Sequence, residues 1–166
     1  MSRVVGSALS PALVDRLSQR QLATRLGVGL PFVTQDAEGR PHPMLVSYLE
    51  LRAYDSGTLG LVIQARSGSA RNLAERGVGT LSIIEPDTVA YVKIRAVDGP
   101  LPVGEGEAFG LGFFLLAVEE VLEDSAADWE DGARITSAIR YEPAPSLDAP
   151  WAQATLAALA SPRARG

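Results

Sequence analysis

Hydrophobic and polar residues alternate along much of this chain, and the alternation has the two-residue period of half-buried strands. Leu59, Leu61 and Ile63 fall on one side of such a strand, with Gly60, Val62 and Gln64 on the other. From Val89 to Val97 the sides are Ala90, Val92, Ile94 and Ala96 against Val89, Tyr91, Lys93 and Arg95. In the long run from Phe109 to Glu123, Phe113, Leu115, Ala117, Glu119 and Val121 oppose Phe114, Leu116, Val118, Glu120 and Leu122. Its centre, FFLLAV, would also suit a helix, but the alternation beyond it and the flanking Gly110 and Gly112 favour a bent strand at a barrel corner. Upstream, Pro31 to Gln35 and Pro43 to Leu51 flank the turn Asp36 to Gly39 and predict a hairpin. Its second strand would carry Met44, Val46, Tyr48 and Glu50 on one face and Leu45, Ser47, Leu49 and Leu51 on the other. Gly79 to Glu85 makes a further strand, closed by a turn at Pro86 and Asp87, and Arg134 to Tyr141 is a short candidate edge strand.

Three helices break this pattern. Ser10 as N-cap and Pro11 at the first helical position open one that Gly27 closes, with Leu13, Val14, Leu17, Leu22 and Leu26 approximating one apolar stripe. Ala70 to Arg76 makes about two turns between a Ser67-Gly68-Ser69 loop and Gly77 as the left-handed residue past its end. Pro150 starts the last, which docks through Trp151, Leu156 and Leu159. Asp98 to Glu107, rich in Gly and Pro, reads as a loop longer than the usual connection. No strand-helix-strand unit repeats, so the expectation is a mainly β chain with flanking helices, an antiparallel barrel of six to seven strands. The 166 residues then make one domain, with an N-terminal helix at about 10–26, a barrel at about 31–141 and a C-terminal helix at about 149–160.

Composition narrows the chemistry. A net charge of −5 gives the whole chain no electrostatic reason to seek nucleic acid or an anionic membrane. There is no cysteine, so disulfides, thiolate metal sites and thiol nucleophiles are excluded, and the single histidine, His42, excludes a multi-histidine metal site within one subunit. His42 itself, in a Pro-His-Pro run, reads as a loop residue, and no catalytic residue is assigned. Seven carboxylates, Glu119, Glu120, Glu123, Asp124, Asp128, Glu130 and Asp131, crowd around Trp129, but they lack calcium-loop spacing and read as a solvated run. Lys93 and Arg95 read as a solvated outer face. No secretory leader or membrane-length apolar run is seen, which points to the cytoplasm. The Ser67-Gly68-Ser69 loop has two readings. It is a cap and turn, or, with Arg66 and Arg71 beside the unpaired amides and partial positive charge of a helix start, it is a seat for a phosphate.

An N-terminal helix leading into PFVTQDAEGRPHPMLVSY, then LGLVIQARSGSARNLAERGVGTLSIIE, then YVKIRAV, resembles the FMN-binding split-barrel superfamily of pyridoxamine 5′-phosphate oxidase-like proteins over most of the chain. The resemblance implies a split β-barrel, FMN as cofactor with its phosphate on the loop before the Ala-Arg-Asn-Leu helix, and a homodimer with each flavin at the interface. A dimer would also cover the barrel's open side and the long apolar strand. On this resemblance Ser67 matches the family's loop hydroxyl, Arg71 and Asn72 its short helix, and Ser47 the strand flanking the flavin; Ser47, Gln64, Arg66, Ser67, Ser69 and Arg71 are the expected cofactor contacts. One departure stands out: Gly68 and Ser69 occupy the positions where the family commonly has a basic pair. Two functions follow. One is an FMN-dependent oxidoreductase acting on a small molecule; the other is a split-barrel dimer without flavin, serving as a ligand-binding or structural protein.

Overall fold

The computed structural model describes residues 2–126 and 132–162. The chain order is β1 (Ser2–Gly6), α1 (Pro11–Leu17), α2 (Leu22–Arg25), β2 (Val28–Gln35), β3 (Pro41–Ser47), β4 (Leu51–Ala53), β5 (Thr58–Gln64), α3 (Gly68–Arg76), β6 (Val78–Glu85), β7 (Thr88–Leu101), a 3-10 helix (Gly104–Phe109), β8 (Leu111–Asp124), β9 (Ile139–Arg140) and α4 (Pro150–Ala158). The strands form one antiparallel, curled sheet in the order β3-β2-β6-β7-β8-β5-β4, a half-barrel, with β1 paired to β8 and β9 to β2 off that path.

The alternation is realised on both faces of the sheet. Leu59, Leu61 and Ile63 enter the main core with Leu30, Phe32, Leu81, Ile83, Val92 and Phe114. Val62, from the opposite face of β5, joins a second cluster with Phe113, Leu101, Val103, Ala158 and Leu159, so α4 and the segment around the 3-10 helix cover part of the outer surface. Gly60 makes that packing possible: a Cβ there would stand 2.5 Å from the Tyr54 hydroxyl and 2.9 Å from Leu159.

Several boundaries differ from the sequence expectation, each for a physical reason. The helix expected over 10–26 breaks in two at Gln19, which adopts φ 68° while its amide donates to the carbonyls of Tyr48 (3.2 Å) and Leu49 (3.1 Å). The strand expected from Pro43 to Leu51 stops at Ser47, because the Glu50 carboxylate accepts the Ser47 N–H (2.8 Å) and Oγ–H (2.7 Å) and folds a turn there. The face assignment beyond Ser47 therefore fails. The expected loop from Asp98 is instead a continuation of β7 to Leu101, irregular in register against β8, followed by the 3-10 helix that takes in Phe109. Within Arg134 to Tyr141 only Ile139 and Arg140 form a strand, and β1 was not anticipated. Of the acidic run, Asp128, Trp129, Glu130 and Asp131 lie outside the described residues. Lys93 and Arg95 are exposed as expected and hold Glu120 and Glu119, each at 2.5 Å. No helix among the described residues is long and apolar enough to cross a membrane.

Candidate functional site at the start of α3

The loop between β5 and α3 is strapped at both ends. Gln64 donates from its side-chain amide to the Phe109 carbonyl (2.8 Å), and Ala65 N–H donates to Gly110 O (2.8 Å). Ser67 then caps the helix: its Oγ accepts the Ala70 N–H at 3.1 Å. Gly77, at φ 72°, ends the helix by donating to Leu73 O, as the sequence implied. With only one first-turn amide served by the cap side chain, the Gly68 and Ser69 N–H groups have no intrahelical acceptor.

Asn72, 4% exposed, anchors this helix to the hairpin. Its Nδ2 donates to Thr34 Oγ1 (3.0 Å), and that hydroxyl donates to the His42 carbonyl (3.3 Å). The bracket brings β3 against the helix start, and the imidazole of His42 lies over Gly68, with Nε2 3.0 Å from where a Cβ would be. His42 is thus a strand residue beside α3, and not the loop residue expected. Its adjacency to position 68 has no local sequence signal.

Of the six expected contacts, the structure gathers Arg66, Ser67, Ser69 and Arg71 at or beside this helix start. Arg66 and Arg71 are exposed and have no ion-pair partner among the described residues; Ser69 is 2% exposed. Ser47 and Gln64 spend their side chains inside the chain, on Glu50 and Phe109. Ser47 also lies five positions along β3 from His42, about 17 Å for an extended strand, with its side chain directed to the other face. Burial with only Ser47 as partner raises the Glu50 carboxyl above the usual range. Two open depressions on the molecule, of about 560 and 310 Å³, lie elsewhere: one is bordered by Asp87, Tyr91, Asp124 and Arg134, the other by Val33, Thr80, Lys93 and Glu119. Neither is lined by any of the six residues. No cluster of metal-ligating side chains occurs among the described residues.

A second charged site, not foreseen from sequence, sits where α1 and α2 cross the β6–β7 hairpin. Glu85, 7% exposed, accepts from the Tyr48 hydroxyl on Oε1 and from Arg25 Nη1 on Oε2 (3.2 Å), and Arg16 Nη1 pairs with Oε1 at 3.1 Å. Arg16 Nη2 also donates to Asp87 (2.6 Å) and Thr88 (2.8 Å), and the Arg25 guanidinium lies 5.2 Å from the centre of the Tyr48 ring. Burial, and then the neighbouring Glu85 charge, push the Tyr48 hydroxyl well above its ordinary value, so it stays a donor.

This architecture has counterparts among solved structures. A candidate pyridoxamine 5′-phosphate oxidase from Lactobacillus delbrueckii superposes with a TM-score of 0.55 at 16% identity, covering 73% of this chain and 98% of that one. The chain has the split-barrel fold. An FMN-binding protein from Syntrophomonas wolfei matches this split barrel with a TM-score of 0.52 at 14% identity, over 70% of this chain and 88% of that one. HupZ of Group A Streptococcus matches it at 0.50 and 12% identity, over 80% and 99%. No family model and no curated protein sequence matches the chain. At these identities the likeness concerns the split-barrel fold and leaves cofactor and reaction to the site itself.

Proposed function

We propose that this split barrel is a flavoprotein that binds FMN with its phosphate at the start of α3 and acts as an oxidoreductase on a small molecule, as a cytoplasmic homodimer with the cofactor at the interface. The observation that carries the reading is the uncompensated charge at that helix start. Arg66 and Arg71 have no carboxylate partner among the described residues, and they flank the first-turn amides of Gly68 and Ser69. Ser69, 2% exposed, adds a hydroxyl to the same first turn. Amide donors, hydroxyls and two cations suit a phosphate dianion, and the cap and the Asn72 bracket hold the amides in place before anything binds. A bound flavin would supply hydride transfer; the protein would supply binding and orientation. An FMN-binding neighbour with the same fold supports the choice of a flavin.

The test is a titration of purified protein with FMN and, separately, with riboflavin, followed by flavin fluorescence or heat. FMN should bind tighter. Saturable binding of neither by well-folded protein would overturn the flavin reading. It would leave the cofactor-free split barrel, which the internal commitment of Ser47 and Gln64 favours. Sedimentation should give a dimer mass; a monomer at all concentrations would remove an interfacial cofactor site.

A further inference from the structure

The ring of His42 meets the start of α3 edge-on. A Cβ on Gly68 would stand 3.0 Å from its Nε2 and 3.2 Å from its Cε1, so the nitrogen side of the imidazole occupies the room that glycine leaves. The strand cannot drift from the helix, because the His42 carbonyl, Thr34 and Asn72 are linked in one hydrogen-bonded chain. The ring thus adjoins Gly68, whose N–H, like that of Ser69, has no intrahelical acceptor, and Ser69, 2% exposed, shares that first turn.

The charges around the imidazole are few. β2 carries no ionisable residue and β3 none except His42. In the turn between them, Arg40 pairs with Asp36 (2.9 Å) and Glu38 (3.0 Å). On α3, Glu75 pairs with Arg76 (2.9 Å), which leaves Arg66 and Arg71 as the charges flanking the helix start. Among the described residues no carboxylate pairs with the ring, so an anion on the helix amides would be its natural partner.

We infer that His42 is a ligand of the phosphate seat and makes it pH-sensitive: its protonated Nε2–H donates to the same phosphate monoester that the Gly68 and Ser69 amides bind. The strand thereby supplies the cation that positions 68 and 69 lack. The inference rests on the phosphate seat proposed above and not on flavin chemistry. Raising the pH removes the imidazole charge and weakens the seat, whereas the second ionisation of the phosphate, at about pH 6, strengthens it. His42→Gln keeps the second effect and loses the first.

As the chain's one histidine, His42 gives ring signals in an NMR spectrum that need no assignment. Inorganic phosphate, added against chloride at equal ionic strength, should move the His42 titration to higher pH. In parallel, His42→Gln should bind FMN about tenfold more weakly than the wild type at about pH 6, with riboflavin unchanged, and the two proteins should converge at about pH 8. His42→Lys should keep the stronger binding at both values. A His42 titration unmoved by phosphate, or equal losses for FMN and riboflavin, would overturn the inference. If phosphate moves His42 but neither flavin binds, the seat stands and the flavin reading falls. If FMN binds tightly and His42→Gln matches the wild type at about pH 6, the flavin reading stands and this inference falls.

Discussion

The molecule carries two pairs of arginines, and they are used in opposite ways. Arg16 and Arg25, with side chains 10% and 19% exposed, converge on one buried carboxylate, Glu85, which also takes the Tyr48 hydroxyl. Arg66 and Arg71 stand exposed at a helix start with no carboxylate among the described residues to answer them. The first pair is consumed by the fold, locking α1 and α2 onto the β6–β7 hairpin; the second is left over by it. Charge that folding does not neutralise is what a ligand can still use, since a buried pair whose charge is already answered by a carboxylate offers an incoming anion little.

The sharpest way to break this comparison is Glu85→Gln. Removing the shared carboxylate leaves Arg25 without an ion-pair partner and Arg16 with Asp87 alone, and should cost about 3–5 kcal/mol, read as a lower denaturant midpoint. A loss below about 1 kcal/mol would mean that the cluster is not what holds the helices. Arg66→Ala should do the reverse, leaving stability within about 0.5 kcal/mol while weakening FMN by about 1.5–3 kcal/mol with riboflavin unaffected. Equal weakening of both flavins would place the phosphate elsewhere.

Glu50 sharpens the contrast from another side, being a half-buried carboxylate with a serine and no arginine for partner. Its acidity is shifted upward by burial, so the native state holds its proton more tightly than the unfolded chain does. The sign follows: wild-type stability falls as pH rises above the 4.5 of an ordinary glutamate, and Glu50→Gln should flatten that slope in denaturation curves taken across the range. An unchanged slope would assign the pH dependence to other groups. The smallest effect belongs to Lys93→Ala. It breaks a half-exposed pair with Glu120 and should cost about 0–1 kcal/mol without changing the preference for FMN over riboflavin.

What could be foreseen in this chain was what local chemistry decides. The cap at Ser67 and the left-handed Gly77 mark α3 from within a few residues, and the alternation around Leu61 and Val92 marks strands buried on defined faces. An antiparallel barrel followed from the order of those elements, and its split form from the family resemblance. What could not be foreseen depended on partners far along the chain. Gln19 takes a left-handed turn because carbonyls of Tyr48 and Leu49 reward it, although nothing in its own neighbourhood asks for a break. Glu85 looked like the plain end of a strand; its arginines lie 60 and more positions away. His42 meets Gly68 only because the Thr34 and Asn72 bracket folds hairpin and helix together.

The central position of β8 has a consequence for how the chain comes off the ribosome. β8 pairs with β7, β5 and β1, so it joins the two halves of the sheet, yet it is among the last strands to be synthesised. Until Leu111–Asp124 has emerged, β5 has β4 as its one sheet neighbour, and its other edge waits unpaired. Such non-local pairing is slow and leaves sticky surface in the nascent polypeptide. The pairing therefore puts completion of this sheet late in synthesis, and a chain halted before β8 would expose the strand edges and apolar side chains that β8 covers.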